Sequence, residues 1–311
     1  MKRIVFGESV QGASHKRVEK ECQDSMKKVE LDEGSAILAI ADGHGSNSCP
    51  FSKTGSSIAV NVFCKIMEEL YSGYTDNLEM LLTYLNREGE TKIAQAVDAE
   101  WKRRVLLAHA KHKRETPLTV EGEKDRSGIY KQYGTTLVGL LITPVFVFAF
   151  QLGDGDITYI DNEGVETFLV TEKILGTETH SLSKDEAWKK AISVVRRREV
   201  TEQLPAMFML STDGFSNSYK NEDEFKKTCK EYFEMVNQYG ADTVDANLNS
   251  WLTETSEQGC GDDITVLMAY FCEEGLEAAQ PVPDEPVTEV EGSTVELASK
   301  ESEVEPDGES E

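Results

Sequence analysis

Four apolar runs in this chain each touch an aspartate at one end, and that recurrence constrains the fold more than any other feature. Residues 36–41 (AILAIA) run into Asp42, residues 148–153 (FAFQLG) into Asp154 and residues 208–212 (FMLST) into Asp213. The fourth run, residues 264–271 (ITVLMAYF), starts directly after Asp262 and Asp263. Short apolar runs bounded by glycine and polar turns read as buried strands. In an antiparallel sheet the end of one strand and the start of another lie at the same edge. The pattern therefore permits one cluster of Asp42, Asp154, Asp213 and Asp262. Such a cluster needs protons or a cation, because two carboxylates ~4 Å apart repel by ~4 kcal/mol at an effective dielectric of about 20. All-oxygen ligands favour Mg²⁺ or Mn²⁺ over zinc. Two such ions ~3.5–4 Å apart suit hydrolysis of a phosphate ester by a metal-activated water.

The first run ends in Asp42-Gly43-His44-Gly45. Burial of the strand fixes Asp42 and His44 at its end, and the glycines let a ligand approach the backbone closely. A surface hairpin turn is the competing reading of this Asp-Gly stretch. Other chemistries lack their motifs. An EF-hand loop begun at Asp154 would put Tyr159 where glycine belongs and Val165 where the bidentate glutamate belongs. There is no GxxxxGK[ST] loop, no HExxH and no GxSxG.

Around the four runs, residues 3–10, 26–31, 134–142, 145–150, 157–160 and 165–169 read as further strands or strand extensions, with hairpin turns at 143–144 and 161–164. Helical spacing is clear from Ile58 to Leu70, and Thr75 caps a second expected helix that ends near Gly89. A third helix is expected over residues 91–112, closing on a solvated basic end around His109 and His112, which suits a helix C-terminus. Ser183 with Glu186 forms a capping box that predicts a helix carrying Trp188, Ile192 and Val195 and closing on Arg196, Arg197 and Arg198. Those arginines read either as a charged helix end or as a receiver of an anionic substrate. Two more helices follow, with Phe225 to Val236 and Val244 to Leu252 on their buried faces. Hairpins next to runs of helices, without βαβ alternation, predict antiparallel sheets flanked by helices.

The net charge of −25 argues against a general nucleic-acid or anionic-membrane binder. Residues 273–311 hold 14 of the 57 acidic residues, four of the eight prolines and one lysine, with no aromatic residue. A segment of that composition cannot bury enough apolar surface to offset its ordering entropy, so an acidic disordered tail is expected after a folded domain spanning 1–272. The six cysteines (22, 49, 64, 229, 260 and 272) lack CxxC or zinc-type spacing. The N-terminal apolar stretch is too short for a signal peptide and no run reaches bilayer length, so a cytoplasmic protein with free thiols is expected. Cys260, close to Asp262, is expected to be a buried structural thiol.

The ordered set Gln23-Asp24, Asp42-Gly43-His44-Gly45, Gly134-Thr135-Thr136, Gly153-Asp154, Asp213-Gly214 and Gly261-Asp262-Asp263-Ile264-Thr265-Val266 resembles the metal-dependent type 2C (PPM) serine/threonine protein phosphatases in a bacterial-style form. The resemblance covers residues 1 to about 272 and implies an α+β fold, a four-layer α/β/β/α sandwich of two antiparallel sheets flanked by helices. It implies that Asp42 bridges two Mn²⁺ or Mg²⁺ ions, that the Gly43 carbonyl ligates one and that Asp213 and Asp262 ligate the other. Asp24 would hold metal-bound water, Asp154 would serve a third, weaker site with Asp213, and His44 would be the general acid for the leaving seryl or threonyl oxygen. Three departures stand out, one being Asn217 where members carry a further Asp of the third site. Gln23 occupies a position where many members carry Glu, and Glu19 a position where many carry the phosphate-binding Arg. Arg17, Lys20 and Arg196 are the candidate phosphate contacts in its place. The implied partners are phosphorylated proteins and a cognate Ser/Thr kinase, and a monomer is expected. A catalytically weak pseudophosphatase, or a phosphoprotein-binding scaffold working through the acidic tail, are the alternative readings.

Overall fold

The computed structural model describes residues 2–32, 34–169, 180–198 and 204–273. The acidic tail expected from the sequence lies, beyond Glu273, outside the described residues. Two five-stranded antiparallel sheets form the centre. The first takes, in spatial order, β1 (Lys2–Val10), β10 (Ile264–Cys272), β9 (Ala206–Ser211), β6 (Asp156–Ile160) and β7 (Val165–Thr167). The second takes β2 (Ser25–Glu30), β3 (Ala36–Ala41), β4 (Leu137–Ile142), β5 (Phe146–Leu152) and β8 (Ile192–Arg197).

Period-two alternation explains the layers. Successive strand side chains point to opposite faces, so a strand apolar throughout must be covered on both. Along β3, Leu38 and Ile40 meet Leu210 and Leu267 of the first sheet, while Ile37, Ala39 and Ala41 face the helices. Along β10, Leu267, Ala269 and Phe271 point between the sheets, and Val266, Met268 and Tyr270 point outward. Helices α2 (Ser52–Ser72) and α4 (Glu90–Lys111) cover the second sheet through Phe63, Met67, Val97 and Trp101. Helices α7 (Glu222–Tyr239) and α8 (Ala241–Gln258) cover the first through Phe233, Val244 and Leu248. The result is the expected α/β/β/α sandwich. Among the described residues no helix is long and apolar enough to cross a membrane.

Several local expectations are corrected. The predicted helix over residues 183–198 is a single 3-10 turn (Ala187–Lys190) followed by the strand β8, which extends β5 at the edge of the second sheet. Ile192, Val194 and Val195 are β-branched and fit a half-buried pleated edge better than a helix. The capping box does not form. Glu186 sits in the left-handed region at φ 49°, and the Ser183 hydroxyl pairs with Ser181 at 3.0 Å. The second helix is capped by Asn77, whose side chain accepts from the Met80 amide at 3.0 Å, not by Thr75. Gly89 does not stop it, because α3 (Leu78–Tyr84) passes through a π-helical turn (Leu85–Gly89) straight into α4. Two short helices are added where no helix is expected, α1 (Ala13–Arg17) between β1 and β2 and α5 (Arg126–Lys131) ahead of β4. His109 is buried at the end of α4, with Nδ1 3.3 Å from the Tyr133 hydroxyl, whereas His112 is exposed.

One contact fixes how closely α2 lies on the second sheet. A Cβ on Gly139 of β4 would stand 2.3 Å from the Phe63 ring, which fills that space and packs on Phe150 with centroids 5.7 Å apart. Gly139→Val should therefore overpack the helix–sheet core and cost ~1–3 kcal/mol. Calorimetry should report a melting temperature lower by several degrees, and an unchanged melt would refute this packing account.

Candidate metal centre

The site forms where the two sheets share an edge. β3 carries the chain to Asp42, and the Gly134-Thr135-Thr136 stretch ahead of β4 holds that end in place. The Asp42 carbonyl accepts from the Thr135 hydroxyl at 2.7 Å and the Thr136 amide at 2.9 Å. The Asp42 amide donates to the Thr136 hydroxyl at 3.0 Å, and the His44 amide donates to the Gly134 carbonyl at 3.1 Å. Gly43 must be glycine here, since a Cβ would meet the Gln23 carbonyl oxygen at 2.5 Å.

The other carboxylates arrive from β5, β9 and β10. Asp154 follows Gly153, whose φ of 114° suits glycine. Asp213 is the first residue of the short helix α6 (Asp213–Ser216), directly after β9. Oxygens of Asp42, Asp154 and Asp213 all lie within 4.8 Å of one another. Asp24 is buried between Thr212, just after β9, and Thr265, near the start of β10. Its Oδ2 accepts from the Thr212 and Thr265 hydroxyls, each at 2.8 Å, while its Oδ1 is buried without a hydrogen-bond partner. Asp262 is exposed and groups with His15 and Asp263, yet its charge acts on Asp24, Asp42 and Asp213.

This crowding raises the proton affinity of the site. Loss of hydration, then the neighbouring Asp263, pushes Asp24 up to about 7. Loss of hydration, then Asp154 and Asp262, pushes Asp213 up to about 7. Asp42 is driven well above the carboxylate range by the same loss of hydration and by Asp24, Asp213, Asp262 and Asp154. A set of hard oxygen donors that repel one another, one of them with an orphaned buried oxygen, fits divalent Mg²⁺ or Mn²⁺.

Asp263 is a site residue whose place in the sequence assigns it no role. It is buried, and its Oδ1 accepts from the Gly12 amide and its Oδ2 from the Gln23 amide, both at 2.7 Å. His15 Nδ1 lies 2.9 Å from the same Oδ1. One carboxylate thus ties the loop that carries Asp24 to the start of β10. The available signal was the doubling in Gly261-Asp262-Asp263, since a second acid opening a buried strand requires donors around it.

The phosphate-contact candidates separate. Lys20 reaches the site, its Nζ donating to the Gly45 carbonyl. Arg17 lies on α1 with its Nε on the Ala13 carbonyl at 3.1 Å and its guanidinium near Gly261. Arg196 is not brought to the cluster. It pairs with Glu166 at 2.6 Å and stacks on Phe168, opposite Val147 and so at the far end of β5 from Asp154. Gln23 is buried beside Gly45 with its Oε1 unpartnered, and Glu19 is exposed in the left-handed region at φ 54°. Cys260 is exposed, contrary to expectation, its thiol 3.3 Å from the Gly214 carbonyl.

Residues 11–253 match the Protein phosphatase 2C family. The chain belongs to this family of metal-dependent protein phosphatases. The matched stretch stops short of Asp262 and Asp263, which β10 brings back to the site. No curated protein matches the sequence. Among solved structures, the chain is similar to the serine/threonine phosphatase Stp1 from Staphylococcus aureus, with a TM-score of 0.56, 14% identity, and 87% of this chain and 95% of that one covered. The S. agalactiae serine/threonine phosphatase gives a TM-score of 0.52 at 15% identity, covering 88% and 100%. The catalytic domain of PstP, solved in complex with two manganese ions, gives 0.51 at 14% identity, covering 87% and 99%. At these identities the likeness is one of fold.

Two outcomes follow from this geometry. A carboxyl whose folded pKa is raised stabilises the fold fully below its unfolded value, and that contribution is lost as pH rises through the folded value. For Asp24 and Asp213 the window runs from about 4 to about 7. Metal-free protein should therefore melt at a lower temperature at pH 8 than at pH 5. Added Mn²⁺ should restore the pH 8 value, and a flat profile in chelator would refute the crowding. Separately, Asp263→Ala leaves two buried amides without acceptors, at ~1–3 kcal/mol each. Hydrogen exchange should show lost protection at Gly12 and Gln23, and unchanged protection there would remove Asp263 from its organising role.

Proposed function

We propose that the protein hydrolyses phosphoserine and phosphothreonine in phosphorylated proteins, with Mn²⁺ or Mg²⁺ held at the aspartate cluster. The observation that carries this reading is the convergence of Asp42, Asp154 and Asp213 within 4.8 Å beside His44, in a chain of the protein phosphatase 2C family. Asp42, Asp213 and Asp262, with the Gly43 carbonyl, would hold two ions, and Asp154 with Asp213 would serve a third, weaker site. When bound, such ions supply a nucleophilic water at neutral pH and neutralise the charge of the phosphoryl group.

The chain's own residues do the rest. The backbone bond from His44 to Gly134 fixes where the imidazole stands, and its role is to give a proton to the leaving seryl or threonyl oxygen. Asp24, held by two threonine hydroxyls on one oxygen, keeps its other, buried oxygen without a protein donor, as an acceptor that would orient water. Lys20 steadies the loop after His44 and contributes positive charge next to the phosphate position, where Glu19 offers none. The catalytic domain on this reading spans residues 1–272, and its substrates are the products of a Ser/Thr kinase.

Hydrolysis of p-nitrophenyl phosphate should require Mn²⁺ or Mg²⁺ and stop in chelator. His44→Ala should slow phosphoserine peptides by roughly 10²–10⁴-fold, the range for loss of a general acid. It should slow p-nitrophenyl phosphate much less, because p-nitrophenolate leaves without needing a proton. Absence of any metal-dependent turnover would favour the pseudophosphatase alternative, and equal losses on both substrates would remove His44 from the acid role.

A further inference from the structure

A cavity of about 410 Å³ opens beside His44, away from the aspartate cluster's own residues. Its size falls within the ~300–1,000 Å³ typical of ligand sites. It is lined by His44, Cys49, Ser127, Lys131, Ser183 and Lys184, among others. Three separate parts of the chain meet there: the loop after β3, the helix α5 and the segment before the 3-10 turn.

The cavity is built into the fold. Three of its lining side chains close on Gly134, where a Cβ would stand 2.7 Å from the His44 ring, 3.2 Å from the Cys49 sulfur and 3.4 Å from the Ser183 hydroxyl. Any larger residue at this position would push against those side chains and displace that part of the lining. One wall is fixed by Ser181, which is buried and accepts from the Thr135 amide at 3.1 Å. The Leu182 amide donates to the Thr135 carbonyl at 3.0 Å, and the Ser183 hydroxyl pairs with Ser181 at 3.0 Å. The stretch that positions Asp42 therefore also positions this wall.

Its chemistry is selective. Hydroxyls and two lysines line it, with Asp185 the one acid among the lining residues. In a chain of net charge −25 a recess with two lysines to one carboxylate is a local exception. An anionic group finds hydroxyl donors and ammonium groups there.

We propose that this recess takes an anionic side chain of the substrate protein, a carboxylate or a second phosphate, adjacent to the phosphoserine or phosphothreonine being cleaved. The inference rests on the phosphatase reading, in which His44 faces the leaving oxygen. The peptide continues from that oxygen, so its flanking residues must pass the space next to His44. Lys131 and Lys184 are then specificity-determining residues.

The test uses phosphoserine peptides whose flanks carry alanine, aspartate or a second phosphoserine, with Mn²⁺-loaded full-length protein. Wild type should favour the anionic flanks over alanine by about tenfold in kcat/KM. Aspartate and phosphoserine arms tell the two anion sources apart. Lys131→Glu with Lys184→Glu should collapse that ratio to near one, whereas Lys65→Glu, a charge reversal on α2, should leave it intact. Binding of the matching phosphonomethylalanine peptides, followed by fluorescence anisotropy, should show the same ranking without turnover. A wild-type ratio near one, a ratio that survives the double charge reversal, or equal loss in Lys65→Glu would overturn the proposal. If p-nitrophenyl phosphate is not hydrolysed, the phosphatase reading fails, and the anisotropy ranking still decides whether the recess selects anions.

Discussion

Repulsion between carboxylates at the common edge of the two sheets is the constraint on which the rest of the structure depends. Asp24, Asp42, Asp154, Asp213 and Asp262 act on one another through a partly desolvated space, and water cannot screen them there as it would on an open surface. A fold that assembles such a set has to hold each backbone rigidly, since a mobile loop would relieve the repulsion by moving apart. The holding groups are neutral hydroxyls and amides. Thr135 and Thr136 clamp Asp42, Thr212 and Thr265 clamp Asp24, and the Gly12 and Gln23 amides are gathered by Asp263.

Those clamps work because strands deliver them. Ser211 and Val266 are register partners in β9 and β10, so Thr212 and Thr265 come next to each other just past the last paired residues, with the Thr212 amide donating to the Thr265 carbonyl at 3.0 Å. Their two hydroxyls then converge on one oxygen of Asp24, which belongs to the loop before β2 of the other sheet. The bond set therefore links the two sheets at the edge where the site forms. A single register slip would turn those side chains to the opposite face. The apolar alternation that specifies the layers thereby also specifies the acid cluster.

The surroundings of His44 extend the same logic. The Gly134 carbonyl receives the His44 amide, and its missing Cβ lets His44, Cys49 and Ser183 pack close, so the residue that places the imidazole also shapes the lining of the recess. The recess differs from the cluster in charge, with lysines where the cluster has aspartates. Adjacent regions of opposite charge suit a substrate that carries its own pattern of anionic groups.

Much of the fold was legible in the sequence because it rests on local, repeating information. The largely apolar runs at 36–41, 137–142, 146–150 and 264–271 require covering on both faces, and that alone implies sheets between helices. The aspartates at the run ends were legible for the same reason. Where local signals conflicted with tertiary packing, packing decided. Ser183 and Glu186 carry a helix-start signal, but the open edge of β5 gained a strand instead. Gly89 carries a stop signal, but its missing side chain serves close packing on Leu85 within a continuous helix. The role of Asp263, the removal of Arg196 to the far end of β5 and the recess beside His44 all depend on residues far apart in the chain that meet only in the folded state. Sequence by itself determined which residues could form the acid cluster and the layers that carry it. Only the tertiary structure decided which charges face that cluster, because contact between distant segments is set by sheet register and helix packing, neither of which any single stretch encodes.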